Sequence, residues 1–197
     1  MKNTTFKRSA LSALIILQSF NLQAADDVKS SDWTGNISGY IGSKSLKEED
    51  WNTLDNQVSL GVIFDIKKEK WPVSLVFDAI GSTDVYEIGT QKDTGSTREF
   101  DLGIRKIFDS NDSAFKPYIG GGVAFISAEI KNEIDSNSYR EKKDATGAWV
   151  GAGVYYAMTP KFNVGFDVRY SEAHVTLLDE EREIGGLNAG LTFGYHF

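Results

Sequence analysis

The sequence predicts an all-β fold, an eight-stranded antiparallel up-and-down transmembrane β-barrel. Three observations carry this reading. Apolar and polar residues alternate with period two in segment after segment, the mark of strands with one apolar and one polar face. Eight such segments can be marked out, an even number, as bacterial single-chain membrane barrels use. The connections alternate between short and long, as in barrels with short periplasmic turns and longer outer loops.

The chain has 197 residues, which suits one domain. With 21 basic and 28 acidic residues its formal charge is −7, which argues against nucleic acid as a partner, because phosphate binding needs clustered cations. Cysteine is absent, so disulfides, zinc–cysteine sites and thiol catalysis are excluded, and two histidines leave little room for a histidine metal cluster. No cofactor and no metal is expected. The mean hydropathy of −0.30 excludes a bundle of membrane helices. It does not exclude a barrel, where only every second residue is apolar.

Residues 1–24 read as an export signal. Lys2, Lys7 and Arg8 supply a positive start, residues 10–17 form a short apolar run, and small Ala24 precedes Asp26 and Asp27. The run is too short to span a bilayer. Cleavage would leave residues 25–197 as the barrel domain, more acidic than the whole chain.

The strands are read in order. Residues 33–43 place Ile37 and Ile41 opposite Asn36, Ser38 and Tyr40. From Val58, the apolar set Val58, Leu60, Val62, Phe64 and Ile66 opposes Gln57, Ser59, Gly61 and Asp65, with Ile63 the exception. Val73, Leu75, Phe77 and Ala79 oppose Ser74 and Asp78. Phe100, Leu102 and Ile104 oppose Glu99, Asp101, Gly103 and Arg105. In residues 118–130, Val123 and Phe125 share one parity but Ile126 and Ile130 fall on the other, which suggests a bulge. Val150, Ala152, Val154 and Tyr156 oppose Gly151, Gly153 and Tyr155. Phe162, Val164, Phe166, Val168 and Tyr170 oppose Asn163, Gly165, Asp167 and Arg169. Leu187, Ala189, Leu191, Phe193, Tyr195 and Phe197 oppose Asn188, Gly190, Thr192, Gly194 and His196. Each segment is about 10 to 13 residues long, enough for a tilted membrane strand. Residues 67–70, 109–114 and 159–160 are the short connections. Residues 44–54, 81–96, 131–144 and 175–185 are the long, polar ones.

Parity alone does not say which face is inside. A soluble barrel buries its apolar face, and a membrane barrel turns that face to lipid. Three features favour the membrane. The polar parity is rich in glycine, which suits a crowded narrow interior. The apolar parity is large and nearly free of charge. Aromatics gather near strand ends, with Trp33, Trp71, Tyr118 and Phe197 toward one rim and Tyr86, Trp149 and Tyr170 toward the other.

The segments PYIGGGV (117–123), GAGVYYA (151–157) and FNVGFDVRY (162–170) resemble the later strands of small outer-membrane barrels. The families are the opacity-like and the outer-membrane protein W- or A-like ones. The closing Gly194-Tyr195-His196-Phe197 is similar to their C-terminal signal. The resemblance implies a Gram-negative outer-membrane location, and contact with outer-membrane lipid and lipopolysaccharide. It also implies that Phe197 is read by the barrel assembly machinery. It covers the last 85 or so residues best and implies architecture far more than activity.

Asp65, Asp78, Glu99, Asp101, Arg105, Asp167 and Arg169 all fall on the expected lumen side. Eight strands leave room only for side chains, and buried charges must pair, so these residues are expected to form an ion-pair plug. A gated ion path is the sharper alternative. His174, with Thr176, Glu172 and Glu180 nearby, loosely resembles the His-x-Ser pair of outer-membrane lipid A deacylases, but Thr176 stands where the nucleophile is Ser. The loops at 44–55 and 175–185 are acidic, which suits solvated tips or a loosely held divalent cation. Residues 120–122 lack the Gly-Lys-Ser/Thr of a phosphate loop, and residues 109–113 lack the Gly and late Glu of a calcium loop.

The expectation is a non-enzymatic integral outer-membrane barrel with a plugged polar interior and four surface loops, serving envelope structure or surface interaction. A narrow channel or transporter of small molecules is one alternative. A lipid A-modifying hydrolase is the other.

Overall fold

The structure is a computed structural model that describes residues 32–108, 113–134, 137–177 and 180–197. The expected export signal and most of the 109–113 turn lie outside these residues.

Strands β1 (Trp33–Ser45), β2 (Asn56–Lys68), β3 (Ser74–Ile88), β4 (Gln91–Ile107), β5 (Phe115–Ile134), β6 (Asn137–Ala157) and β7 (Phe162–Glu172) run in chain order. A small hairpin of β8 (His174–Leu177) and β9 (Glu180–Glu183) follows, then β10 (Gly186–His196). Eight of these strands close an antiparallel ring in the order β1-β10-β7-β6-β5-β4-β3-β2. β1 and β10 seal it in unbroken register from Asn36↔His196 to Ser45↔Leu187. Between β1 and β2 lie a one-turn helix, α1 (Glu48–Trp51), and a 3₁₀ turn (Asn52–Leu54).

Burial decides the orientation of the pleat. On β4, Glu99 and Asp101 are 2% and 1% exposed, while Phe100 and Leu102 between and beside them are 59% and 44% exposed. Ile37, Ile41, Leu60, Val62, Phe77, Val150, Phe166, Leu191 and Phe193 likewise point outward around the ring. A water-soluble monomer rarely exposes an apolar belt of this extent. The inside-out arrangement is that of a membrane barrel, and the soluble alternative falls.

Three readings of the sequence need correction. First, residues 81–96 and 131–144 are not loops. β3 and β4 continue to a tight turn at Gly89-Thr90, and β5 and β6 continue to residues 134 and 137. Gly89 sits at φ 63°, a left-handed conformation that glycine adopts without strain. These hairpins project above the apolar belt, where both faces meet water or protein, so the alternation that marks a membrane strand fades. Lys44 and Ser45 likewise belong to β1 rather than to a loop.

Second, β5 has no bulge. Its pairing with β4 and β6 is continuous, and Ile126 and Ile130 lie on the inward parity with Ala124 and Ala128. The interior itself changes character there, from polar to apolar, so the strand keeps its register while the chemistry of its inner face switches.

Third, Tyr118 and Trp149 are not rim residues but are buried within the barrel. At the short-turn end the outward aromatics do cluster: Trp33 meets Trp71 edge-on at 5.4 Å, Phe115 meets Tyr156 at 4.9 Å and Phe162 meets Tyr195 at 5.4 Å. Lys68 lies 5.2 Å over the Trp33 ring.

Replacing Leu102 with Arg places a charge in the middle of the outward belt. Denaturant unfolding of vesicle-refolded protein should show a loss of about 2–4 kcal/mol. Gly103→Ala acts by a different route, because its methyl would run into the Gly121 backbone across the strand pair. A Leu102→Arg protein as stable as wild type would show that this face does not meet hydrocarbon.

Candidate functional site

The middle of the interior is occupied by layers of inward side chains. Arg105 on β4 and Arg169 on β7 are its two largest buried cations. Arg105 donates to Asp65 at 3.1 Å through Nη1 and to Asp78 at 3.2 Å through Nη2. Its Nη1 also donates to the Tyr155 hydroxyl at 2.8 Å. Arg169 donates to Asp78 at 2.8 Å, to Asp101 at 3.0 Å and, through Nε, to Asp167 at 2.8 Å. Asp78 is the hinge of the network: its Oδ2 accepts from both arginines, while its Oδ1 accepts the Phe64 amide at 3.0 Å.

Seven lumen charges were read from sequence, and six of them meet in this one network. The seventh, Glu99, stands apart and binds Lys44 at 2.9 Å, both side chains being almost wholly buried. Lys44 also donates to the Ile184 carbonyl at 3.3 Å. It was missed because the first strand was read as ending at residue 43, two residues short of Ser45. Its parity with Tyr40 and Gly42 would have placed it inside.

Tyr118 and Tyr155 were missed as members of the network. Their rings lie 4.6 Å apart, with the Arg105 guanidinium 4.6 Å from the Tyr118 ring centre. The Tyr118 hydroxyl donates to Asp167 at 2.7 Å. Tyr118 packs so closely on Gly153, its partner across the strand pair, that a side chain there would strike the ring. That packing is the local reason for glycine on the polar parity: the small residues make room for large inward neighbours. Arg169 stacks in the same way over Trp149, 5.5 Å from the ring centre.

Above the charges the interior turns apolar. Ala124, Ile126, Ala128 and Ile130 of β5 and Trp149 of β6 pack against Leu46, Trp51 and Leu54 from the β1–β2 connection. Val76 of β3, Ala173 and Ile184 belong to the same cluster. The Trp51 indole donates to the Glu183 carbonyl at 2.7 Å, and the Glu183 amide donates to the Asp50 carboxylate at 2.9 Å. Arg182 donates to the Asp50 carbonyl. The first outer connection is therefore folded into the mouth as a cap, tied to the β9 segment.

His174 and Thr176 lie exposed on β8, where His174 pairs across the hairpin with Glu183. The Glu183 carboxylate accepts instead from the Tyr170 hydroxyl at 2.7 Å. Among the described residues neither His174 nor Thr176 makes a side-chain hydrogen bond, so no nucleophile–base–acid chain is assembled there. The acidic connections gather no metal-holding group among the described residues either. Asp179 and the Glu180 side chain lie outside them.

The fold and this filled interior define a class: an integral membrane β-barrel whose lumen is packed with protein. Comparison with known proteins gives the family. A profile of the outer membrane protein β-barrel domain matches residues 10–197. The chain belongs to that family of outer-membrane barrels. Among solved structures it is similar to Ail, the attachment invasion locus protein of Yersinia pestis, in complex with the heparin analogue sucrose octasulfate: 14% identity, TM-score 0.61, covering 85% of this chain and 100% of that one. It is also similar to neisserial surface protein A at 15% identity and TM-score 0.54, covering 84% and 96%. At such identities the likeness is one of fold. No curated protein matches the chain.

Replacing Arg169 with Gln takes from Asp101 and Asp167 the arginine that pairs with them and leaves Asp78 with Arg105 alone. Unfolding of vesicle-refolded protein should show a loss of about 3–5 kcal/mol. Lys143→Gln, which breaks an exposed pair with Glu141, should cost less than about 1 kcal/mol by the same assay. Equal effects of the two would mean that the network contributes nothing beyond surface electrostatics.

Proposed function

We propose that the protein is a non-enzymatic outer-membrane barrel with an occluded interior that works at the cell surface, in envelope structure or surface interaction. The observation that carries this reading is the double closure of the lumen. A buried Arg–Asp–Tyr network lies in the middle and the Trp51 cap in the outer mouth, an arrangement that supports an interior closed to solutes. What remains available is the outside: the β3–β4 and β5–β6 hairpins, which stand above the apolar belt.

Outer-membrane lipid, including lipopolysaccharide, is the partner this surface suits. The last outward apolar row is Phe100 and Phe125, and both line a groove of about 560 Å³ whose polar lining includes Arg98, Ser127, Lys142 and Asp144. Arg98 makes no ion pair among the described residues. Beside the groove, a hydrogen bond from Arg140 holds the Glu129 carboxyl below the usual range, with Arg98 and Lys142 acting in the same direction. Cations at headgroup height suit lipid phosphates. The fold-level likeness to Ail does not carry its ligand to this chain.

In cells we infer export by a signal at residues 1–24, cleavage before Ala25, and recognition of Phe197 by the barrel assembly machinery. The ring of Phe197 lies near Phe64, 6.3 Å between centres.

Reconstituted wild-type protein should give no steady conductance in planar bilayers. It should be more stable in vesicles containing lipopolysaccharide than in phospholipid alone, and Arg98→Gln/Lys142→Gln should remove that difference. A large steady conductance would favour the channel reading instead, and a change in lipid A mass spectra on expression would favour the hydrolase.

In cells, outer-membrane material should begin at Ala25. Deleting Phe197 should lower its amount while leaving refolding into detergent nearly normal. Equal losses in both assays would make Phe197 merely structural.

A further inference from the structure

The outer cap and the lumen charges meet at one side chain. Lys44 lies near the end of β1, just before Leu46, the first cap residue of the apolar cluster. Its ammonium donates in two directions. One bond runs into the lumen, to Oε2 of Glu99 at 2.9 Å, and the other to the carbonyl of Ile184 at 3.3 Å. Ile184 ends the short strap that holds the cap. Within that strap Arg182 donates to the Asp50 carbonyl and the Glu183 amide to the Asp50 carboxylate at 2.9 Å. The Glu183 carbonyl accepts the Trp51 indole at 2.7 Å. Consecutive residues thus grip the cap with Arg182 and Glu183 and grip Lys44 with Ile184. On the lumen side, the Glu99 and Lys44 side chains are each 1% exposed. The other Glu99 oxygen, Oε1, has no hydrogen-bond partner among the described residues. The direction of the Lys44 ammonium and the state of Glu99 therefore depend on each other.

We propose that this linkage is a latch: the Lys44–Glu99 pair keeps the strap, and with it the Trp51 cap, seated in the outer mouth, and so governs access from outside to the apolar wall of β5. An ammonium tied to Glu99 is aimed at the Ile184 carbonyl, and one released from Glu99 has no fixed direction. A lifted strap in turn lets water reach the pair and weakens its attraction. The coupling is reciprocal, as an equilibrium linkage must be. Opening is local, because Arg105 and Arg169 below keep their own carboxylates, Asp65 and Asp78 among them, whatever the strap does. Glu99 acts on the cap only through Lys44, which makes it a positioning residue.

The chain has no cysteine, so a single introduced thiol reports the latch without background. Ala128→Cys places one on the wall that the cap covers, where Ala128 is wholly buried in the apolar cluster. Thr192→Cys places one deeper in the lumen, at a position that is also wholly buried and pairs across the seam with Tyr40. It serves as the control for general loosening. The full mature chain carrying either thiol is refolded in detergent micelles and treated with a small water-soluble maleimide. The labelling rate is read in the unboiled, folded band alone.

Ala128→Cys should label slowly in the otherwise unchanged chain. It should label at least tenfold faster with Asp50→Ala, which cuts the strap, and with Glu99→Gln, which bonds to neither strap nor cap. Lys44→Met should match Glu99→Gln, Lys44→Arg should label slowly, and Thr192→Cys should stay slow throughout. Unchanged labelling with Glu99→Gln overturns the proposal. So does equal acceleration at Thr192→Cys, or Lys44→Arg as fast as Lys44→Met. An Asp50→Ala protein that labels no faster also overturns it, since the strap would then not be what holds the cap. If Lys44→Met does not fold, Glu99→Gln, which keeps the side-chain size, decides by the same criteria.

Discussion

Closure of the ring is the constraint from which the rest follows. In hydrocarbon an unpaired amide or carbonyl costs several kcal/mol, so a sheet can cross only if its first strand pairs with its last. Here that seam is β1 on β10, continuous over the membrane-crossing part of both strands. Closing with eight strands fixes a bore that side chains alone can fill. A narrow bore with an apolar exterior then dictates the interior: polar residues on the inward parity are cut off from bulk water and must satisfy one another. The network around Arg105 and Arg169 is the consequence of that geometry, not an addition to it.

Within the bore, chemistry is graded along the axis rather than uniform. The Arg–Asp–Tyr network occupies the middle. Neutral hydroxyl and amide groups follow, with Ser82 donating to Gln57 at 2.5 Å and Thr97 2.6 Å from Ser82. The Lys44–Glu99 pair sits at the same border. Beyond it the inward parity of β5 becomes Ile126, Ala128 and Ile130, which bury the cap. Placing the ion pairs deep and the apolar cluster at the mouth shields the charges from water on the outer side. Their mutual attraction is thereby kept in surroundings of low polarity, where it is strongest.

Most of the architecture was legible because period-two alternation survives wherever one face meets lipid and the other meets the polar lumen. Leu102 against Asp101, or Phe166 against Asp167, is a contrast that a single sequence displays. Legibility failed where that contrast disappears. Residues 81–96 run from the edge of the belt upward, where the outward face is no longer apolar, so strand and loop read alike. Ile126 and Ile130 are inward but apolar, so a regular strand looked broken. Tyr118, Tyr155 and Trp149 are large aromatics on the inward parity, where only Tyr155 was read. A preference for rim aromatics pulled two of them to the surface. The six carboxylates and arginines of the central network were legible as a set. Which acid bridges which arginine was not, because Asp78, Asp101 and Asp167 come from three strands whose angular positions only the closed register supplies.

The same grading separates the two ends of the molecule. The outer connections hold more residues than a tight turn needs. They spend them on a cap, α1 with Trp51, and on hairpins that prolong four neighbouring strands beyond the lipid. At the opposite end the described inward positions close to the strand ends are more exposed. Side chains at those positions gain little from burial and are free to be cationic, as Lys67 and Lys161 are. One closed ring of strands thus carries two chemically different ends, an apolar cap at one and partly exposed polar and cationic positions at the other.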